Sequence, residues 1–236
     1  MLNAEVRVDL KIKDVADLLN VSEKTIRRWL TEGKIPSYQI NQQHLFNRNE
    51  IEDWVLSQKI PEASFDHPTA IPDPSPIKGG IKQFSLYRAL HKGDVLIDIM
   101  GDTKEEVIRQ TMQRMAKSLN LDAEGISHLL LDREKLQPTA LNNGIGIPHT
   151  RDFLLNAHYD VVVVAYSKNP IDYGALDGKP VHTLFFLFAC DDKRHLHLLA
   201  KIAHLVNHPN TLEFLQSKPP KEEFLNYIKN FESSIK

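Results

Sequence analysis

The feature that most limits how this chain can fold is the stretch from Ile60 to Ile81, IPEASFDHPTAIPDPSPIKGGI, which carries Pro61, Pro68, Pro72, Pro74 and Pro76 and closes on Gly79-Gly80. Each proline lacks a backbone N–H and holds φ near −65°, so neither a helix nor an interior strand can run through the stretch. Such a composition favours an extended, semi-rigid spacer ending in a glycine swivel. Structureless loops of this length are uncommon inside one domain. The chain therefore reads as two domains, 1–59 and 82–236, joined by a linker at 60–81, with no internal repeat.

Composition excludes several classes. A hydrophobic fraction of 42% and a charged fraction of 25% in 236 residues are those of an ordinary globular protein. A net charge of −2 argues against indiscriminate coating of nucleic acid, though it leaves room for one basic surface. The single cysteine, Cys190, excludes an intrachain disulfide framework and a multi-cysteine zinc site. The start, MLNAEVRVDLKIK, lacks the apolar core of a signal peptide. The longest apolar run, Leu184 to Cys190, falls far short of the roughly 20 residues that span a bilayer. A cytoplasmic protein with no membrane span, no cofactor and no resident metal is expected.

In the N-terminal segment, Val15, Ala16, Leu18 and Leu19 form a short apolar helical face. After a turn at Asn20-Val21 the chain restarts at Ser22, a good N-cap, with Val21 and Ile26 spaced for a hydrophobic staple. Ile26, Trp29 and Leu30 give this second helix a buried side, and Gly33 can close it in the left-handed C′ conformation. Residues 35–46 predict two short strands around a polar turn at Asn41-Gln42-Gln43-His44. Asn47 with Glu50 marks the start of a third helix that packs through Ile51, Trp54 and Val55. Two helices, a hairpin and a further helix make a small winged helix-turn-helix.

The run VADLLNVSEKTIRRWLTEGKIPSYQI followed by FNRNEIEDWV resembles the DNA-binding domain of the excisionase family, related to the MerR type. The resemblance implies that the second helix enters the major groove of double-stranded DNA. Ser22, Lys24, Thr25, Arg27 and Arg28 would then face DNA, with Arg48 beside the wing. The wing departs from the family's glycine- and arginine-rich pattern. Residues 1–59 hold nine Lys/Arg (Arg7, Lys11, Lys13, Lys24, Arg27, Arg28, Lys34, Arg48, Lys59) against nine Asp/Glu (Glu5, Asp9, Asp14, Asp17, Glu23, Glu32, Glu50, Glu52, Asp53). Non-specific affinity from counterion release is therefore expected to be modest. The bland alternative is a protein-docking helical domain with a solvated charged face.

In the C-terminal segment, residues 95–99 predict a strand. Asp102 with Glu105 predicts a helix start, and a second helix runs from about Asp122 to Arg133-Glu134. Val161–Val164 and Leu184–Phe188 read as strands buried on both faces, and a helix from about Lys193 to Val206 carries His195, His197 and His204. Alternation of helix and strand argues for α/β layering with helices on both sheet faces. Between these elements lies NNGIGIPHTR, in which Gly144, Gly146 and Pro148 constrain the chain just ahead of His149. A loop so constrained positions a side chain. Read from the residues alone, His149 is a structural histidine, a metal ligand with His195 and His197, or a phosphoryl-accepting imidazole flanked by Arg133 and Arg151. Arginine suits the last reading because its guanidinium pairs bidentately with phosphate oxygens.

The segment DREKLQPTALNNGIGIPHTR, Asp132 to Arg151, resembles the active-site segment of enzyme IIA domains of the fructose–mannitol class of the sugar phosphotransferase system, which includes a nitrogen-regulatory branch. DGKPVHTLFFLFACDDKRHLHLLAKIA, Asp177 to Ala203, is similar to the same family's strand and histidine-bearing helix. The resemblance, over residues 85 to about 230, implies a mixed β-sheet flanked by helices. It implies that His149 accepts phosphate from the phosphocarrier HPr or its nitrogen-type relative, with Arg133 binding the phosphate. It also implies a second active-site histidine, placed at His195 with His197 the alternative. Gly146 and Thr150 depart from the family's usual Ala and Gly. The expected function is a phosphotransferase-system regulator whose DNA-binding domain responds to phosphorylation of His149. The other readings are a phosphocarrier in sugar uptake that hands phosphate to a IIB domain, and a non-enzymatic docking protein. For the coupling, the cationic helix of Lys24, Arg27 and Arg28 is expected to dock near the His149 loop, more tightly once a phosphate is there.

Overall fold

The computed structural model describes residues 8–19, 21–57, 85–150 and 159–234. The proline-rich stretch and Arg151 lie outside them. The first part runs β1 (Val8–Lys11), α1 (Ile12–Leu19), α2 (Glu23–Thr31), β2 (Tyr38–Ile40), β3 (Gln43–Asn47) and α3 (Arg48–Leu56). The second runs α4 (Ser85–Lys92), β4 (Val95–Ile99), α5 (Lys104–Met115), α6 (Ala123–Leu136), β5 (Ile145–Gly146), β6 (Val161–Ile171), β7 (Val181–Phe188), α7 (Asp192–Asn207), α8 (Thr211–Gln216) and α9 (Lys221–Ser234). No described helix is long and apolar enough to cross a membrane.

Local chemistry sets the boundaries of the first part. The Ser22 hydroxyl accepts from the Thr25 amide at 3.1 Å and caps α2. At the other end Gly33 takes φ +63°, the Gly33 amide reaches the Leu30 carbonyl at 3.1 Å, and the Lys34 amide reaches that of Trp29 at 2.9 Å. These paired bonds satisfy carbonyls that would otherwise be orphaned at the helix end, and they need the left-handed residue that glycine supplies. The Asn47 side chain accepts from the Asn49 and Glu50 amides and starts α3. The hairpin turn is tighter than its polar run suggests: only Asn41 and Gln42 make it, both at positive φ, and Gln43-His44 already belong to β3. Two left-handed residues match the right-handed twist of the flanking strands. β1 pairs with the free edge of β3, giving a three-stranded sheet in the order β1-β3-β2.

The second part is a four-stranded mixed sheet in the order β4-β6-β7-β5, with β4 parallel to β6, β6 antiparallel to β7, and β5 parallel to β7. Strand side chains alternate between faces, and the two faces bury into different cores. Val162, Val164, Tyr166, Phe185 and Leu187 share one core with α4, α7 and α9. Val161, Val163, Ala165, Leu184, Phe186 and Phe188 share the other with α5 and α6. Burial on both faces explains the near-continuous apolar runs. The expected helix start at Asp102 moves by one residue, because Thr103 caps α5 through the Glu106 amide while the Glu106 carboxylate accepts from the Asp102 amide. Asp122 caps α6 as expected.

The two parts do not sit apart on a spacer. α1 and α3 pack against α7, and one continuous set of buried residues runs from Val15, Trp29 and Val55 through Leu86 to Leu198 and Ile202. The helices that meet are therefore α1 and α3. Lys24, Arg27 and Arg28 of α2 stay exposed.

Candidate functional site

His149 ends a chain segment clamped along the edge of β7. Ala140 bridges Gly146, and the Ile147 amide donates to the Thr139 carbonyl at 2.9 Å. The Leu187 amide donates to the Pro148 carbonyl at 3.0 Å, and His149 itself bridges Leu187 in parallel register. Gly144 is needed for close approach as well as for its φ of +78°, since a Cβ there would meet the His182 ring at 2.6 Å. At Gly146 a Cβ would lie 2.8 Å from the Leu184 side chain, so an alanine at this position would need that leucine to give way.

Thr139, which pins this segment, is held by Glu134. Its amide donates to the Glu134 carboxylate at 3.0 Å, and its hydroxyl donates to the same carboxylate. Burial pushes the Glu134 carboxyl up, while the two Thr139 hydrogen bonds and nearby His149 pull the other way. Glu134 escaped the sequence reading. Its signal was only its place beside Arg133, one residue around the helix toward the core.

The imidazole of His149 is fully buried. Its Nδ1 lies 2.7 Å from the Ile147 carbonyl oxygen. A carbonyl can only accept, so Nδ1 is the donor of this hydrogen bond. The ring's Nε2 lies 2.9 Å from Oε1 of Glu52 on α3. Arg133 brings Nη2 to 3.3 Å from the same Glu52 oxygen and 3.5 Å from Asp53 Oδ1, while its Nη1 donates to the Gln137 carbonyl at 3.1 Å. His195 stands edge-on to His149 with ring centroids 5.1 Å apart, and its Nε2 is 4.0 Å from Glu52 Oε2.

His149, Arg133 and His195 thus converge on one point. His197 does not, because it faces the opposite way along α7 and meets the Ser85 hydroxyl at 2.9 Å. This is the consequence of an i, i+2 spacing, which puts two residues on different helix faces. Glu52 was not expected at all. Glu52, His149 and His195 each offer one ligand atom, all within 4.8 Å of one another, a donor set of the zinc type. Arg133 already sets a positive charge against the Glu52 carboxylate, which weakens the case for a dication between them.

Of the residues expected to face DNA, Ser22, Lys24, Arg27 and Arg28 are exposed and Thr25 is half-buried. The Ser22 and Thr25 hydroxyls bond to each other at 2.9 Å, so part of their capacity is used locally. Arg48, at the start of α3 directly after β3, pairs with Asp192, in the first turn of α7, at 2.9 Å. An anion at a helix N-terminus is favourably placed, and it draws the arginine to the junction between the two parts.

Comparison with known proteins agrees with this geometry. The family model for the phosphoenolpyruvate-dependent sugar phosphotransferase system EIIA 2 matches residues 88–231, and a helix-turn-helix domain model matches residues 10–59. The nitrogen regulatory protein of Pseudomonas aeruginosa is 34% identical over 146 residues, covering 61% of this chain and 94% of that protein. The nitrogen regulatory protein of Escherichia coli K12 is 30% identical over 136 residues, covering 56% of this chain and 82% of that protein. Among solved structures, the nitrogen regulatory protein IIA-Ntr of Neisseria meningitidis superimposes with a TM-score of 0.52 at 23% identity, covering 61% of this chain and 94% of that one. A phosphotransferase-system IIA domain of Streptococcus pyogenes does so with a TM-score of 0.53 at 21% identity, covering 61% and 95%. At these identities the structural matches bear on the fold alone.

Proposed function

This chain belongs to the EIIA 2 family of the phosphoenolpyruvate-dependent sugar phosphotransferase system and carries a helix-turn-helix domain ahead of it; on that premise we propose that it is a regulatory protein that accepts a phosphoryl group on Nε2 of His149. The single observation that carries the reading is the pinned imidazole: Nδ1 is committed to the Ile147 carbonyl, and Arg133 and His195 stand on the side of Nε2. In the reaction, the Nε2 lone pair forms a new N–P bond as the donor's N–P bond breaks. The electron pair of that bond returns to the donor nitrogen, and Nδ1 keeps its hydrogen throughout. Arg133 and His195 neutralise charge on the phosphoryl oxygens, which is most of what a protein contributes to such a transfer.

A donor of the HPr type, or its nitrogen-branch relative, fits this chemistry because a phosphohistidine is close in energy to the phosphohistidine it would form. The helix-turn-helix favours regulation over a carrier in sugar uptake that feeds a IIB domain. Within it, Lys24, Arg27 and Arg28, with Ser22 and Thr25 at the helix start, form the surface offered to double-stranded DNA. In the test, the full chain is incubated with phosphoenolpyruvate, HPr and its upstream kinase. One phosphoryl group per chain is expected, labile in acid and stable in alkali as a phosphoramidate is. No incorporation from either the sugar-type or the nitrogen-type carrier would contradict the proposal.

A further inference from the structure

The carboxylate of Glu52 occupies the place a phosphoryl group would need. It is fully buried, 2.9 Å from Nε2 of His149, 3.3 Å from Nη2 of Arg133 and 4.0 Å from Nε2 of His195. Nε2 would bond the phosphorus and the other two would meet the phosphoryl oxygens, so Glu52 satisfies the phosphate site from within the same chain. Neighbouring contacts hold it there. Asp53 adds a second carboxylate at 3.5 Å from Arg133, Arg48 pairs with Asp192 at 2.9 Å, and the apolar faces of α1 and α3 lie on α7.

We infer that α3 is a reversible plug: Glu52 mimics the phosphoryl group, so that docking of the helix-turn-helix on the EIIA part and phosphorylation of His149 exclude each other. The inference rests on the reading of His149 as the phosphoryl acceptor. Two physical arguments carry it. The first is steric, because a buried Nε2 in contact with Glu52 cannot approach the phosphorus of a donor phosphohistidine in line. The second is electrostatic, because a phosphoryl group on Nε2 would set about two negative charges against the Glu52 carboxylate within a buried site. Like charges so close cannot both persist there. Opening must therefore come first. Glu52 leaves with α3, and the Nε2 lone pair is then free to accept the phosphoryl group.

The plug sets a direction for regulation. In the docked state the cationic face of α2 is already exposed, so docking withholds His149 from its donor and does not hide α2. Phosphorylation would release the helix-turn-helix from the EIIA part and expose the surfaces of α1, α3 and α7 that now meet. A donor would act only on the open fraction of molecules, so its apparent rate falls in proportion to that fraction.

Two variants of the full chain separate the plug from the acceptor reading. Glu52→Ala removes the carboxylate, and Glu52→Gln keeps its shape without its charge. Both are compared with the parent for folded content by circular dichroism. The first measurement is the initial rate of phosphorylation by HPr and its kinase. The second is the reactivity of His149 toward diethyl pyrocarbonate, followed by peptide mass mapping, which needs no donor protein. The plug predicts that Glu52→Ala raises both rates by about tenfold or more, and that Glu52→Gln raises them in the same direction. If the parent is phosphorylated but neither substitution changes either rate, the plug is wrong and the acceptor reading stands. If no protein is phosphorylated while the diethyl pyrocarbonate rates rise, the carboxylate does cover His149 and the acceptor reading fails.

Discussion

His149→Ala is expected to take up no phosphoryl group at all, and to do so without unfolding. The loss is complete because the reacting atom itself is gone. The backbone of the segment keeps its own bonds, Ile147 to Thr139 and Leu187 to Pro148, so the loop retains its path. Glu52 loses one partner but keeps Arg133 at 3.3 Å. A buried group that loses one hydrogen bond costs roughly 1–3 kcal/mol, which a folded domain of this size tolerates. Incorporation that persists in His149→Ala at the parent level would place the acceptor elsewhere.

Arg133→Ala is expected to have two opposing effects, and their sizes decide the outcome. Removing a charge that stabilises the transferring phosphoryl group costs on the order of 100-fold in rate. Yet Arg133 also holds Glu52 and Asp53, so its loss leaves a buried carboxylate poorly compensated and loosens the plug. That gain is about tenfold if most molecules are docked. In the parent background Arg133→Ala should therefore slow phosphoryl transfer by only about tenfold. In a Glu52→Ala background, where nothing remains to release, the full factor of about 100 should appear. Equal rates with and without Arg133 in the Glu52→Ala background would reduce the arginine to a structural role.

Much of the local structure was readable because it depends on neighbours in sequence. The Ser22, Asn47 and Asp122 caps and the Gly33 closure follow from backbone groups that need partners within a few residues. What was not readable depends on distant partners. The apolar residues Ile51, Trp54 and Val55 define a face of α3 that leaves Glu52 on its flank, where a carboxylate is ordinarily solvated. Its burial comes from residues 81 and 97 positions away, Arg133 and His149. The Arg48–Asp192 pair was hidden for the same reason, since Asp192 is invisible from the N-terminal pattern. The two-residue β5 is too short for any periodicity, and β1 is a strand only because β3 has a free edge. The proline-rich stretch marked a division into two domains and could not show that α1 and α3 bury against α7. A linker reports where secondary structure stops and says nothing about whether the surfaces on either side of it attract.

The choice between His195 and His197 shows the difference in kind. Spacing alone says that the two cannot share a helix face, but only the fold says which face meets His149. His195 lies 5.1 Å from that ring, and His197 turns to Ser85.

The most direct test of the account is the position of the phosphate on the ring. Long-range proton–nitrogen NMR on the phosphorylated full chain, with histidine labelled on both ring nitrogens, distinguishes the two nitrogens of His149. Because Nδ1 donates to the Ile147 carbonyl at 2.7 Å, the account predicts phosphate on Nε2 with a hydrogen retained on Nδ1. Phosphate on Nδ1 of His149, or on any other residue, would contradict it.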